Sequence, residues 1–438
     1  MRKVKKSELI IVFIASICIF YLTNKGTTYF LSMSNEVSII NKITDLINGI
    51  FPYIFNNIHV PIDTSSIAML ASAIGFFIVP IIYLYMISSN KKKLPGKEHG
   101  DAEWGTKLDI DPFIDKNPDN NIILSKTEML SLAPYMKNPL YNRNKNVLVI
   151  GGSGKGKSRF VAKPNICQLN TSFVVTDPKG ELFADCGEML QNNGYNIKCI
   201  NLEDMERSDK FNMFSYIEDE KDILIVIDNL IQNTTSEQAK SSDDFWVKSE
   251  KALLYALFAY VLYECRAADR NIATVLKLIS IAQAKEDNED YISPLDQLFI
   301  DLKEEKSTCF AVMQYELFKL ATAKTAKSIL ISLGVRLAPF YTEQVQSLLS
   351  EDTVDLELLG REKTALFLIV PETYTSFNFI ACIIYQMLFE KLYKLAKQQK
   401  NRRVPVPVQI IADEIANIGK IPNLERYIST MRAYGISI

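Results

Sequence analysis

The residues best suited to chemistry lie between positions 146 and 159, in NVLVIGGSGKGKSR. Gly151, Gly152, Ser153, Gly154, Lys155, Gly156, Lys157 and Ser158 match G-x-x-x-x-G-K-[ST] at every fixed position. A short apolar run precedes them and a plausible helix follows. A triphosphate needs many N–H donors at close range, and glycines let the backbone wrap around it without Cβ clashes. The helix N-terminus adds a favourable dipole and free N–H groups. In such a loop Lys157 reaches the β/γ phosphates of ATP and Ser158 holds Mg²⁺. A glycine-rich turn without a ligand would not need Lys155, a second cation inside the loop. Arg159, at the helix start, completes the cofactor-binding candidates.

A second constellation stands far downstream. Residues 406–412, VPVQIIA, read as an apolar strand closed by Asp413 and Glu414. An apolar strand ending in D-E is the expected partner of a P-loop. Asp413 would hold Mg²⁺ through its water shell, and Glu414 would orient and polarise the attacking water. A third polar cluster, Asp177, Lys179 and Glu181, follows SFVVT at 172–176. Carboxyl ends of strands are where open α/β sheets bind ligands. Turn chemistry with a helix N-cap is the other reading of these three residues.

These groups need elements to hold them. Residues 147–150 read as the first core strand and 157–169 as the helix after the loop. The run at 172–176 suits a buried parallel strand. A helix to 193 and a strand over 195–202 follow. This βαβαβ alternation predicts a parallel sheet wrapped by helices. From about 215 to 360 helical periodicities dominate, as at 245–265, 273–284 and 323–337, which predicts an all-helical insertion. Phe245, Trp246, Tyr255, Phe258 and Tyr260 read as its packing core. The α/β pattern returns with a strand over 364–370 and a helix over 377–399. Residues 109–143 are polar and turn-rich and read as a collar, with one apolar stretch at Ile122-Ile123-Leu124.

The whole chain has 438 residues and a net charge of −2, so it is no basic nucleic-acid coat. Its seven cysteines form no C-x-x-C pair and it has two histidines, which argues against Cys/His zinc sites and for a reducing compartment. Residues 9–23 and 64–90 carry no charge. The second stretch is long enough to span a membrane, and Pro80 is tolerated there. A cleaved signal peptide is the alternative for the first. Arg2, Lys3, Lys5 and Lys6 precede the first stretch, and Lys91, Lys92 and Lys93 follow the second. The positive-inside rule then puts both termini and the body in the cytoplasm and the loop 24–63 outside. The predicted divisions are 1–93, a membrane anchor; 94–145, linker and collar; 146–214 and 361–438, two parts of one nucleotide-binding domain; and 215–360, the helical insertion.

Together the motifs resemble the coupling ATPases of type IV secretion, the TraG/TraD class of conjugation. The matching stretches are GGSGKGKS at 151–158, TDPKGEL at 176–182, FLIVPET at 367–373 and IADEIANIGKIPNLERYISTMRAYGIS at 411–437. The resemblance implies an α/β fold: a RecA-like P-loop NTPase core with an all-helical insertion and a two-helix transmembrane anchor. It implies a homohexamer that recruits a relaxase-bound single DNA strand, or effector proteins, to the secretion channel with ATP hydrolysis. Arg432, in the M-R-x-x-G-I stretch, falls where an arginine finger acts on the neighbouring subunit. Lys157 and Glu414 take catalytic roles by the same motif positions. Lys155 stands where the family usually has a small residue. Family members continue past Ile438 with a Gln-bearing segment and more strands, which implies a truncated product. An FtsK-type DNA translocase and an ATP-binding docking platform without a power stroke are the competing readings. Lys324, Lys327 and Arg336 are candidate DNA contacts, with a solvated helix face as the alternative.

Overall fold

The computed structural model describes residues 6–34, 38–89, 105–134, 136, 138–235, 244–285 and 291–438. The cations Arg2, Lys3, Lys5, Lys91, Lys92 and Lys93, and the linker through Trp104, lie outside the described residues. The chain divides into two units, 1–104 and 105–438.

In the first unit, α1 (Lys6–Ser32), α2 (Ile39–Asn56) and α3 (Ser66–Ser89) follow one another. Helices α1 and α3 are long and apolar enough to cross a membrane. Helix α1 runs past the apolar stretch because its polar residues find partners. Asn24 Nδ2 donates to the Asp63 carbonyl at 3.0 Å, and Asn24 Oδ1 accepts from the Asp63 N–H at 2.9 Å. Lys25 Nζ donates to the carbonyls of Val60 and Pro61 at 2.7 and 3.1 Å. The segment 24–63, expected between the two spans, holds the end of α1 and the whole of α2. Ile39, Ile43, Ile47, Phe51 and Phe55 recur every fourth residue and form an exposed apolar stripe. Another face packs on α1, where Tyr53 stacks on Tyr29 with centroids 4.5 Å apart.

The second unit begins with a small antiparallel pair, β1 (Asn121–Ile123) and β2 (Met129–Ser131), within the expected collar. Its core is a parallel five-stranded sheet of β3 (Ser172–Thr176), β4 (Asn196–Asn201), β5 (Thr364–Ile369), β6 (Val408–Ala412) and β7 (Ile436–Ser437), ordered β4-β5-β3-β6-β7. Every residue of β3 and β5 is buried. Alternation then sorts them by face. Phe173, Val175, Ala365 and Phe367 join Leu182 and Leu190 of α4 (Glu181–Asn192) on one side. Val174, Leu366 and Leu368 join the larger cluster on the other.

That larger cluster is built by the helices between β4 and β5. They are α5 (Glu220–Thr234), α6 (Asp244–Glu264), α7 (Ile272–Ser280), α8 (Pro294–Glu305), α9 (Phe310–Lys319) and α10 (Ala323–Arg336). Helix α11 (Asn378–Gln398) is buried along most of its length, and α12 (Leu424–Tyr434) precedes β7. Of the aromatics expected in the helical core, Phe258 is wholly buried, while Phe245 is 55% exposed and meets Trp246 edge to face.

Two local expectations are corrected. Residues 147–150 do not form a strand. The Val147 N–H donates to the Ile438 carbonyl at 2.8 Å, but Leu148 and Ile150 are 85% and 86% exposed. The helix after the glycine loop is a π-turn, Ser158–Ala162, followed by one α-turn, Lys163–Ile166. Pro164 has no N–H to donate to Phe160 O, which breaks the α register there. Leu169, at φ 54°, turns the chain away before β3.

Phe258 lies against Phe214 with ring centroids 4.9 Å apart and no exposure. Phe258→Ala is expected to cost about 3–5 kcal/mol through lost burial and a residual cavity. Denaturant unfolding of the full chain checks this; a loss under about 1 kcal/mol would contradict the packing described.

Candidate functional site

The glycine loop enters the second unit from the exposed segment 147–150 and ends at the π-turn. Gly154 and Gly156 take φ of 71° and 84°, which L side chains rarely adopt. At Gly156 a Cβ would also collide with the ring of Phe160. Arg159 is exposed and lies over that ring, 5.6 Å from its centroid. Lys157 Nζ curls back to the loop, donating to the carbonyls of Gly151 and Gly152 at 3.1 and 3.4 Å.

Ser158 follows Lys157, and its Oγ donates to Asp413 Oδ2. This contact joins residues 255 positions apart in sequence. It arises because β3 and β6 are parallel neighbours, with Thr176 opposite Ala412, so Asp177 and Asp413 leave the sheet at the same end. The hydroxyl and carboxylate are hard oxygen donors of the kind Mg²⁺ takes while keeping several waters. Among the described residues no three His, Cys, Asp or Glu side chains form a metal cage.

Asp177 is 2% exposed and accepts the Phe183 N–H at 2.8 Å. Burial pushes its carboxyl above the usual range against these backbone bonds, and the charges of Glu181 and Asp413 push the same way. It therefore caps the start of α4 and also faces Asp413. Lys179 and Glu181 are exposed. Glu414 is exposed at φ 51° and ψ 42°, a left-handed conformation uncommon outside glycine. Its Oε2 accepts from Asn417 Nδ2 at 3.2 Å. Asn417 carried no motif signal, since loop asparagines are common and this contact depends on the turn.

Arg432 sits in the last turn of α12, half-buried, with no hydrogen bond or ion pair to Lys157, Ser158, Asp413 or Glu414. Its neighbours are cations. Lys145 is pushed down to about 8, first by burial and then by the charges of Arg432 and Arg403. Arg336 corrects a further expectation, being neither a free DNA contact nor a solvated residue. Its Nε and Nη2 each lie 2.8 Å from Oε2 of the buried Glu250. Lys324 and Lys327 are exposed. A cleft of about 430 Å³, lined by Tyr216, Glu218, Lys391, Lys394 and Tyr427 among others, includes none of the nucleotide-site candidates.

A family profile described as "Type IV secretory system Conjugative DNA transfer" matches residues 105–438. The chain belongs to this family of conjugative coupling proteins. No curated protein matches it. Among solved structures, it is similar to the bacterial conjugative coupling protein TrwBdeltaN70 in a trigonal form with sulphate, at 15% identity and a TM-score of 0.46, covering 69% of this chain and 64% of that one. The plasmid coupling protein TrwB with the ATP analogue ADPNP gives 15% and 0.44, covering 65% and 61%. TrwB with ADP and Mg²⁺ gives 16% and 0.42, again covering 65% and 61%. The chain spans under two thirds of the length of these structures.

In this coupling protein the cation cluster beside Arg432 has a pH signature. Lys145 is lowered from 10.5 to about 8, so between those values the unfolded chain binds the extra proton and stability rises with pH. Lys145→Met is expected to remove that rise. Melting temperatures across this range check it; an unchanged slope would place the titration elsewhere.

Proposed function

We propose that the protein is a membrane-anchored ATPase that couples DNA–relaxase or protein substrates to a type IV secretion channel. The observation that most supports this is the Ser158–Asp413 contact, which brings the glycine loop and the D-E turn to one sheet end. A Mg²⁺ held there would neutralise charge on the phosphates. The loop 151–156, with Lys155 and Arg159 beside it, binds the ATP phosphates, and Lys157 leaves its carbonyl partners to pair with them. Ser158 and Asp413 would hold the Mg²⁺, and Glu414 orients the attacking water. The nucleotide-binding domain comprises 146–214 and 361–438, with 215–360 as a helical insertion, 94–145 as linker and collar, and 1–93 as anchor. The apolar α1 and α3 support insertion as a two-span hairpin, and the cations flanking them in the sequence support cytoplasmic termini. Assembly is a homohexamer, and Arg432 acts in the neighbouring subunit's site. A docking platform that binds ATP without turning it over is the other reading.

Lys157→Ala should reduce ATP turnover to background and abolish substrate transfer while membrane insertion persists; normal transfer would sink the motor reading. Arg432→Ala alone should also be nearly inactive but keep ATP binding, since fingers of this kind contribute about 10³–10⁵ in rate. Mixed with Lys157→Ala subunits, it should recover part of the turnover, because some interfaces then join an intact loop to an intact finger. Co-assembled mixtures that recover nothing would remove the trans role.

The anchor orientation has its own check. A reporter active only outside the membrane should work when fused at Asn48 and be silent when fused after Lys93. The reverse pattern overturns the hairpin.

A further inference from the structure

The turn carrying Asp413 and Glu414 is tied to the helical stretch by amide side chains. Asn233, in the last turn of α5, meets the backbone of Lys420 on both sides. Its Nδ2 donates to the Lys420 carbonyl at 3.0 Å, and its Oδ1 accepts the Lys420 N–H at 3.0 Å. Nδ2 also donates to Asn229 Oδ1 at 2.7 Å. Asn229 is wholly buried and donates to Gln386 Oε1 and, at 3.1 Å, to the Cys382 carbonyl of α11. From α11, Asn378 donates to the Asn417 carbonyl, and the Cys382 thiol to the Ile418 carbonyl at 3.3 Å. The segment 417–420 is therefore held residue by residue, and Asn417 in turn holds Glu414.

Close approach is built in. Gly419 takes φ 111°, and a Cβ there would lie 3.0 Å from Asn233 Oδ1 and 3.1 Å from Cys382 Sγ. A left-handed Glu414 persists only where its surroundings over-determine it. The same end of α5 is gripped from the helical stretch. Arg336 of α10 donates to the hydroxyls of Thr234 and Thr235 at 3.2 and 2.8 Å, while its guanidinium pairs with Glu250 of α6.

We infer that Asn233 is a positioning residue for Glu414, through which the packing of the helical stretch against the end of α5 sets the rate of ATP hydrolysis. The inference rests on the role of Glu414 proposed above. Asn233 touches no phosphate-binding residue, so its loss should move the reacting geometry and spare nucleotide binding.

The test uses the full chain in lipid nanodiscs. Three readouts are taken: kcat and KM for ATP, binding of a fluorescent ATP analogue with Mg²⁺, and amide exchange over 414–420. Asn233→Ala should lower kcat about tenfold to 10²-fold, the scale of a small misplacement of reacting groups. KM and analogue affinity should stay within about twofold. Exchange at Lys420 should accelerate. Gly419→Ala, which pushes the turn off Asn233 and Cys382 by a different route, should give the same split. Thr235→Val removes one contact from Arg336 without stranding Glu250. It should lower kcat and add little further loss in the Asn233→Ala background, since linked residues are non-additive. An unchanged kcat in Asn233→Ala, or kcat falling together with analogue affinity, overturns the positioning role. Full additivity with Thr235→Val overturns the coupling. A wild-type chain that binds the analogue and never hydrolyses ATP would sink the ATPase reading; Lys420 exchange then decides the clamp, and an unaltered rate in Asn233→Ala refutes it.

Discussion

Parallel pairing of β3 with β5 on one edge and β6 on the other is the constraint from which the rest of the second unit follows. A parallel strand cannot be joined to its neighbour by a tight turn, so the chain must cross over each time. It also needs cover on both faces, because a central strand offers apolar side chains to each side. The helices between β4 and β5 supply most of one cover, and α4 with the turns after the glycine loop supplies the other. Parallel strands also end together. Asp177 and Asp413 become neighbours for that reason alone, and Ser158 reaches Asp413 because the glycine loop opens at the same rim.

Much of this was legible because it depends on local pattern. The runs SFVVT and TALFLIV are too apolar for exposed strands, and both are buried throughout. The helical stretch announced itself by periodicity, with ends within a few residues of α6 and α10. The pairing of Ser158 with Asp413 was legible as chemistry, since a phosphate loop and an acidic strand end need one another. The run VLVI read as a strand on the same apolar grounds, yet it lies exposed. A strand's identity is settled by its pairing, which composition alone does not encode.

Other features escaped because their signal is spread across the chain. Arg336 reads as a surface cation until α6 brings the buried Glu250 to it, and an ion pair in such a place needs its further hydrogen bonds to offset desolvation. Helix α2 was hidden by its neighbours. Its isoleucines sit between two spans, where apolar composition alone does not separate a surface helix from its flanks, and only their four-residue spacing marks it. The asparagines at 229, 233, 378 and 417 have no motif at all. Their meaning comes from facing one another across α5, α11 and the turn after β6.

The distance along the chain between β3 and its partners has a consequence during synthesis. Ala365, opposite Phe173, follows it by about 190 residues. At about 5–20 residues per second, ribosomes expose β3 for roughly 10–40 s before β5 is made. Through that interval its ladder groups and both apolar faces lack their final neighbours, a state that invites pairing with the wrong strand. The helices emerge in the meantime and can collapse early, since their contacts are local. The order of manufacture thus favours a helical body that waits for its sheet, and makes the late arrival of β5 and β6 the step at which a nascent chain is most exposed to aggregation.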